Sequence, residues 1–227
     1  MSGTVALVGG GEWTDEVTFD AELLSGVDDV LVIPAAMAYE RPELAIDRAR
    51  KHLGALAARI NVLDVYRRAE ALEPEASAAV AAASAVYISS GSPMHLRSVL
   101  KDTPLLDSLV VAWERGALIG ISGEATAVMC THMVDSRGGA FTVGLELVDT
   151  MTFVPRHNRW SPDKWHRTVA LAPRDLPVVG IDEHTALLHT GPGEWEVVGA
   201  GSVHVYVAGR RVDLDALPPV LNSTLEH

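Results

Sequence analysis

The chain has 227 residues, of which 48% are hydrophobic and 21% are charged. This composition is typical of a folded globular protein and excludes wholesale disorder. The 18 basic and 30 acidic side chains give a formal net charge of −12, which argues against a nucleic-acid-binding protein because phosphate contacts need clustered lysine and arginine.

The sequence predicts neither a signal peptide nor a membrane span. Its first residues lack a basic region followed by an apolar stretch and a cleavage site. No apolar run approaches the ~20 residues that cross a bilayer. The single cysteine, Cys130, cannot form an internal disulfide. We therefore expect a cytoplasmic protein without a membrane partner.

Five short apolar runs predict strands that are buried on both faces. They lie at residues 4–8, 30–33, 61–65, 86–89 and 118–121. Helical patterns fill the gaps, at residues 43–58, 75–83, 94–100 and 105–114. Alternating strands and helices form right-handed βαβ units. The sequence therefore predicts a doubly wound, mostly parallel α/β sheet flanked by helices.

The last third of the chain has a different pattern. After a predicted helix at residues 162–171, short strands are expected at 178–181, 185–188, 195–198 and 203–206. Turn residues connect them, which predicts C-terminal antiparallel hairpins. We expect one domain over residues 1–224, and we interpret residues 225–227 as the start of an expression-tag scar.

The residues after the fifth strand are typical of a nucleophile elbow. Gly120-Ile121-Ser122 ends a strand, and Gly123-Glu124 opens a helix. Such a turn lifts a serine hydroxyl above the sheet and directs backbone N–H groups at the same space. The strict pattern is G-x-S-x-G, with Glu124 here in place of the last glycine. A helix N-cap is the simpler role for this serine.

The chain resembles the dipeptidase E and cyanophycinase family of serine peptidases. Segments spread over nearly the whole sequence carry the likeness: Gly9-Gly10-Gly11, residues 33–36, residues 87–96, the elbow at 120–125, Gly144-Leu145-Glu146-Leu147, and residues 180–186. This resemblance implies a class I glutamine-amidotransferase-like fold. It also implies a serine hydrolase that cleaves a small peptide or amide without a cofactor or a metal.

The resemblance also implies the roles of individual residues. It makes Ser122 the nucleophile, with Gly91 and Gly123 supplying the oxyanion-binding amides. Asp135 stands about where the family has its acid, and Asp149 and Glu146 are nearby alternatives. Cys130 lies too far past the elbow to replace the nucleophile and is expected in the core.

The histidine of the triad is less simply assigned. A gapless comparison from Gly144 puts Arg156 at the family's histidine position and His157 one residue later. Adjacent side chains of an extended segment point to opposite faces, and a guanidinium cannot act as a base at neutral pH. Two interpretations stay open: His157 reaches Ser122 after local rearrangement, or the triad is broken.

Two functional hypotheses follow. In the first, Ser122, His157 and Asp135 hydrolyse a small peptide or amide through an acyl-enzyme. In the second, the cleft is catalytically degenerate and serves as a binding or regulatory site. In either case the substrate-binding candidates are Glu124, Arg156 and Arg159. The sequence leaves the oligomeric state open, a homodimer included.

Overall fold

The computed structural model describes residues 2–56 and 59–224. The end of the predicted helix at 43–58 and the interpreted tag scar at 225–227 lie outside the described residues. None of the described helices combines the length and the hydropathy that a bilayer span requires.

Seven strands form the larger sheet. In spatial order they are β11 (Glu194–Gly199), β10 (Thr185–Gly191), β1 (Val5–Val8), β5 (Leu118–Ser122), β4 (Ala85–Ile88), β2 (Asp29–Ile33) and β3 (Arg59–Val62). The last five are mutually parallel, whereas β10 and β11 are antiparallel to their neighbours. The predicted doubly wound, mostly parallel sheet is confirmed.

Helices cover both faces of this sheet. They are α1 (Asp20–Leu23), α2 (Pro42–Leu53), α3 (Arg68–Ala71), α4 (Pro74–Ala82), α5 (Pro93–Leu100), α6 (Pro104–Glu114), α7 (Glu124–Val128) and α8 (Pro162–Leu171). Five of the eight begin with proline, whose fixed φ and missing N–H suit the first helical position.

The strands supply both apolar layers because alternate side chains point to opposite faces. Leu7 of β1 packs in the layer that contains side chains of α4, α5 and α6. Its neighbours Ala6 and Val8 pack in the other layer, with side chains of α2. Uniformly apolar strands are the sequence signature of this two-sided burial.

A second sheet has four strands, β13 (Arg210–Val212), β12 (Val203–Val207), β9 (Val178–Ile181) and β8 (Thr152–Pro155). A separate pair joins β6 (His132–Val134) to β7 (Phe141–Val143). The larger core cluster includes Phe153 and Val179 of this second sheet together with Leu7 of the first.

The predicted C-terminal hairpins are only partly correct. β10 and β11 do pair antiparallel. However, the strands at 178–181 and 185–188 do not pair with each other, since β9 belongs to the smaller sheet and β10 joins β1 of the larger one. The same holds for β11 and β12. Turn residues indicate where the chain reverses, but they do not determine which strand it then joins.

The topology brings several loops to one edge. In the parallel register Val8 lies beside Ser122 and Ile88 beside Ile121. The loops that follow β1, β4 and β5 therefore meet above the carboxyl ends of these strands, where α/β sheets form their clefts.

Candidate functional site

The turn between β5 and α7 has the backbone geometry of an elbow, with Gly123 at its apex. This residue has φ of +53° and ψ of −131°, a backbone conformation that residues other than glycine adopt only with strain. Ser122, the expected nucleophile, is the last residue of β5 and precedes the apex. The apex residue thus carries no side chain.

Ser122 is fully buried. Its hydroxyl donates a hydrogen bond to Oε2 of Glu12 at 2.9 Å. The other carboxylate oxygen of Glu12 accepts from the backbone N–H of Ser90, also at 2.9 Å. Glu12 is itself only 8% exposed. This carboxylate therefore ties together the strand ends of β1, β4 and β5.

The Ser90 hydroxyl, in the loop after β4, lies beside the elbow apex. A Cβ placed on Gly123 would lie 2.2 Å from the Ser90 Oγ. The same oxygen accepts a hydrogen bond from the backbone N–H of Glu124, the first residue of α7, at 3.3 Å. Ser90 therefore fills the space into which a side chain at the apex would project.

A cleft of about 550 Å³ opens beside these loops. Its charged lining consists of three carboxylates and three guanidinium groups, from Glu12, Glu40, Glu124, Arg48, Arg137 and Arg156. Ser90, Gly91 and Ser136 add polar surface. This volume suits a small ligand, and the balance of charges favours one that carries both signs.

Arg156 enters this cleft from the end of β8. Its backbone has a left-handed φ of +50°, and its N–H donates to the carbonyl of Gly9 at 2.7 Å. The side chain lies against Gly10, where an added Cβ would be 2.9 Å from its Nε. That Nε is buried and has no hydrogen-bond partner among the described residues.

Glu124 lies on the cleft wall as well. Burial raises the pKa of its carboxyl, while the positive charges of Arg156 and Lys164 act in the opposite direction. The substrate-binding candidates Glu124 and Arg156 thus share one cleft. The third candidate, Arg159, is exposed and pairs with Glu183 instead.

His157 contacts groups other than Ser122. Its Nδ1 lies 3.2 Å from Oδ1 of Asp182, and its ring packs on the edge of Trp165 and against His204. Burial, and then the charge of His204, lower the pKa of His157. The left-handed Arg156 and the 3₁₀ turn that follows it, His157–Arg159, separate the two neighbouring side chains.

Asp135, the expected acid of the triad, also makes its contacts away from Ser122 and His157. Asp135 is in the loop after β6, where it accepts hydrogen bonds from the N–H and side chain of Arg137, and these lower its pKa. The alternatives, Asp149 and Glu146, pair with Ser223 and Lys101. Each of these acids thus has its own surface partner. The structure does not bring the expected triad of Ser122, His157 and Asp135 together.

Gly91, expected to supply an oxyanion-binding amide, does line the cleft. Its φ is +149°, and an added Cβ would lie 2.5 Å from the carbonyl oxygen of Ala36, so a side chain is excluded. Cys130 is buried, and its burial raises the thiol pKa to about 12. That thiol is a core group, as its position predicted.

Comparison with known proteins identifies the family. The family model of peptidase family S51 matches residues 5–194. The chain belongs to peptidase family S51. The resemblance to dipeptidase E and cyanophycinase is therefore confirmed.

Curated relatives in this family include two cyanophycinases. Those of Nostoc sp. (strain PCC 7120) and Trichormus variabilis are each 30% identical over 161 residues, which are 66% of this chain and 53% of theirs. The chain thus spans about half the length of the curated relatives it matches. The solved structure of a peptidase from an acI-B1 actinobacterium is similar, with a TM-score of 0.80, 28% identity, and coverage of 93% of this chain and 97% of that one.

Sequence reasoning missed Glu12 of this S51 cleft and the contacts that the Ser90 side chain makes there. Glu12 comes directly after the glycines that end β1, so its position at a strand end was a signal for it. Ser90 stands in a loop where the family resemblance suggests glycine. Their hydrogen bonds could not be anticipated, because they depend on how three separate loops meet.

Proposed function

We propose that this S51 member binds a small zwitterionic ligand, such as a short peptide, and forms no acyl-enzyme at Ser122. The observation that carries the proposal is the glycine at the elbow apex, beside a cleft whose charges balance. Glu12 holds the Ser122 hydroxyl below the apex, while Arg156 faces the cleft. The function is thus the second of the two hypotheses that the sequence left open.

The charges of the cleft suggest how a ligand would be oriented. The guanidinium of Arg156 lines the cleft, and such a group suits a carboxylate. Glu12 and Glu124 offer carboxylates to an ammonium group on the same ligand. A free peptide carries one charge of each sign at its termini, whereas a capped peptide carries neither.

The binding test compares the free dipeptide Ala-Ala, whose only charges are at its termini, with its N-acetylated, C-amidated form by isothermal titration calorimetry. We expect the free dipeptide to bind and the capped one to bind at least tenfold more weakly. Arg156→Gln and Glu124→Gln should each weaken binding by tenfold or more, the effect of losing a charge-assisted hydrogen bond of about 1.5–3 kcal/mol. Arg159→Gln is the matched control, since that side chain pairs outside the cleft.

One observation favours serine hydrolysis as a second candidate. The Ser90 hydroxyl occupies the space at the apex and contacts the Glu124 N–H, a donor of the kind that stabilises an oxyanion. In this case the Ser90 oxygen, rather than that of Ser122, would attack the amide carbonyl, the C–N bond would break, and the hydroxyl proton would pass to the leaving amine.

Labelling with a fluorophosphonate probe separates the two candidates. Binding without hydrolysis predicts no adduct on either serine under conditions that label a serine hydrolase control. An adduct that maps to Ser90 and disappears in Ser90→Ala, together with cleavage of Ala-Ala, would establish the second candidate. An adduct on Ser122 that requires His157 would restore the triad hypothesis.

A further inference from the structure

A second cluster of polar side chains lies in the smaller sheet, outside the cleft. Its members are His157, which follows β8, Asp182, which follows β9, and His204 of β12. These three strands are adjacent, in the order β12-β9-β8. His204 lies beside Gly180 in the β12–β9 register, and Pro155 lies beside Ile181 in the β9–β8 register. Sheet pairing therefore places the three residues at one end of this sheet.

The donor atoms of the three residues lie close together. Nδ1 of His157 lies 3.2 Å from Oδ1 of Asp182, and Nε2 of His204 lies 3.7 Å from Oδ2 of the same carboxylate. One donor atom from each residue lies within 4.8 Å of the other two. Ligands about 2.0–2.1 Å from a tetrahedral zinc ion are separated by about 3.4 Å. The observed separations bracket that value.

We propose that His157, Asp182 and His204 form a binding site for a divalent transition-metal ion, with Zn²⁺ as the first choice. Two imidazoles and one carboxylate are donors that zinc takes readily. The three side chains are 15–20% exposed, so water can occupy a fourth position.

Surrounding groups hold these donors in place. Oδ2 of Asp182 accepts a hydrogen bond from the N–H of Ser202 at 3.1 Å, an outer contact that fixes a metal-binding carboxylate. The rings of Trp165 and His157 are nearly perpendicular, with centroids 4.5 Å apart. At Gly180 an added Cβ would lie 2.5 Å from the His157 ring. The imidazole therefore sits in a fitted space rather than on an open surface.

The charged groups around this site act in opposite directions. The positive charge of Arg211 acts on His157 and opposes a cation. The carboxylate of Asp182 offsets this repulsion because it lies against both imidazoles.

An ion at this site would also restrain the cleft. His157 directly follows Arg156, whose side chain lines the cleft. A metal that holds His157 fixes the start of the turn that presents Arg156. The site requires no assumption about what the cleft binds, so the two proposals can fail separately.

The test uses the full chain without an affinity tag, first treated with EDTA and then titrated with ZnCl₂ by calorimetry. We expect one equivalent of zinc to bind and to remain after gel filtration, measured by elemental analysis. A zinc concentration a hundredfold above the Kd should raise the Tm by about 5–10 °C. His204→Ala and His157→Ala should each lose tenfold or more in affinity. The exposed His166→Ala is the matched control and should bind zinc as the wild type does.

Two results would overturn the proposal. One is the absence of stoichiometric zinc in the wild-type chain at 100 µM ZnCl₂, which is about a hundredfold above a micromolar Kd. The other is equal zinc affinity in the wild type and in both cluster variants. Should these variants fail to fold, diethyl pyrocarbonate modification of the wild type decides instead. Zinc should protect His157 and His204 but not His166, and unprotected cluster histidines would refute the site.

Discussion

At the elbow of this S51 chain, a glycine and the side chain of a neighbouring serine fit together. Gly123 provides the left-handed backbone without a side chain, and Ser90 of the neighbouring loop places its hydroxyl in the space that remains. A serine at position 123 would need both the strained backbone and the volume that Ser90 occupies. The two positions are therefore coupled, as residues in direct contact usually are.

A double-mutant cycle measures this coupling. Gly123→Ser should lower the free energy of unfolding by about 2–4 kcal/mol, from backbone strain and overpacking together. Adding Ser90→Gly should recover the overpacking part, about 1–3 kcal/mol. Gly26→Ser is the control for strain alone, because Gly26 also has a positive φ but has open space around it. Urea denaturation gives each value, and strict additivity of the two changes would contradict the contact.

Glu124 gives a pH-dependent prediction. Its pKa is raised in the folded protein, mainly by burial, so its ionised form destabilises the fold. The loss of stability is absent at low pH, where the carboxyl is protonated in both the folded and the unfolded protein. It develops as pH rises through the pKa of the unfolded state, and it is complete above the raised pKa of the folded state.

Glu124→Gln should therefore be more stable than the wild type at pH 7, by up to about 1 kcal/mol. The difference should vanish at a pH low enough to protonate the glutamate in both states. Urea denaturation across this pH range measures it. A variant that is less stable than the wild type at pH 7 would show that the positive neighbours outweigh burial.

At the scale of elements, the end of β8 determines which residue faces the cleft. The left-handed Arg156 and the 3₁₀ turn after it send the two neighbouring side chains to different places. The guanidinium reaches the cleft, while His157 joins the cluster at the end of β9 and β12. The cluster depends on β9 having a glycine opposite the imidazole.

Gly180→Ala tests that dependence. Its Cβ would lie 2.5 Å from the His157 ring, so the imidazole must shift. We expect a loss of about 1–3 kcal/mol in the free energy of unfolding and weaker zinc binding. Gly138→Ala is the control, because nothing lies within 4 Å of an added Cβ there. Equal stabilities of the two variants would mean that the ring moves aside without cost.

At the scale of the whole molecule, the segment after β13 is packed against the main body. Leu217 and Leu221 are each 7% exposed and belong to the larger core cluster. Asn222 donates hydrogen bonds to the carbonyls of Glu146 and Leu147. Residues far apart in sequence thus close one side of the core.

Leu221→Ala should lower the free energy of unfolding by about 2–4 kcal/mol, since it removes a buried side chain at the edge of an apolar cavity. Leu171→Ala is the matched control. Leu171 is 54% exposed, so its loss should change stability by no more than about 0.5 kcal/mol. Thermal and urea denaturation both report the difference. Similar effects at the two positions would indicate that the segment does not stabilise the core.

The sequence by itself determined the parallel part of the larger sheet. Uniform apolar runs such as Val30–Ile33 require burial on both faces, and that requirement is local enough to be read from composition and spacing. Strand ends were predicted less accurately: β3 is Arg59–Val62 rather than 61–65, since it pairs with β2 from Asp29 to Val32. The order of the family's motifs along the chain supported the same fold. Both the fold and the family are confirmed.

Tertiary structure alone decided the chemistry of the cleft. Ser122 and Gly123 are adjacent in sequence, yet Gly123 is at the elbow apex and Ser122 is buried below it. Likewise Arg156 reaches the cleft, whereas His157 meets Asp182 and His204. Apolar burial depends on which side of a strand a residue faces. The geometry of a site depends in addition on single backbone angles and on contacts between loops that are distant in the chain. The pattern of residue types specifies neither the angles nor the contacts.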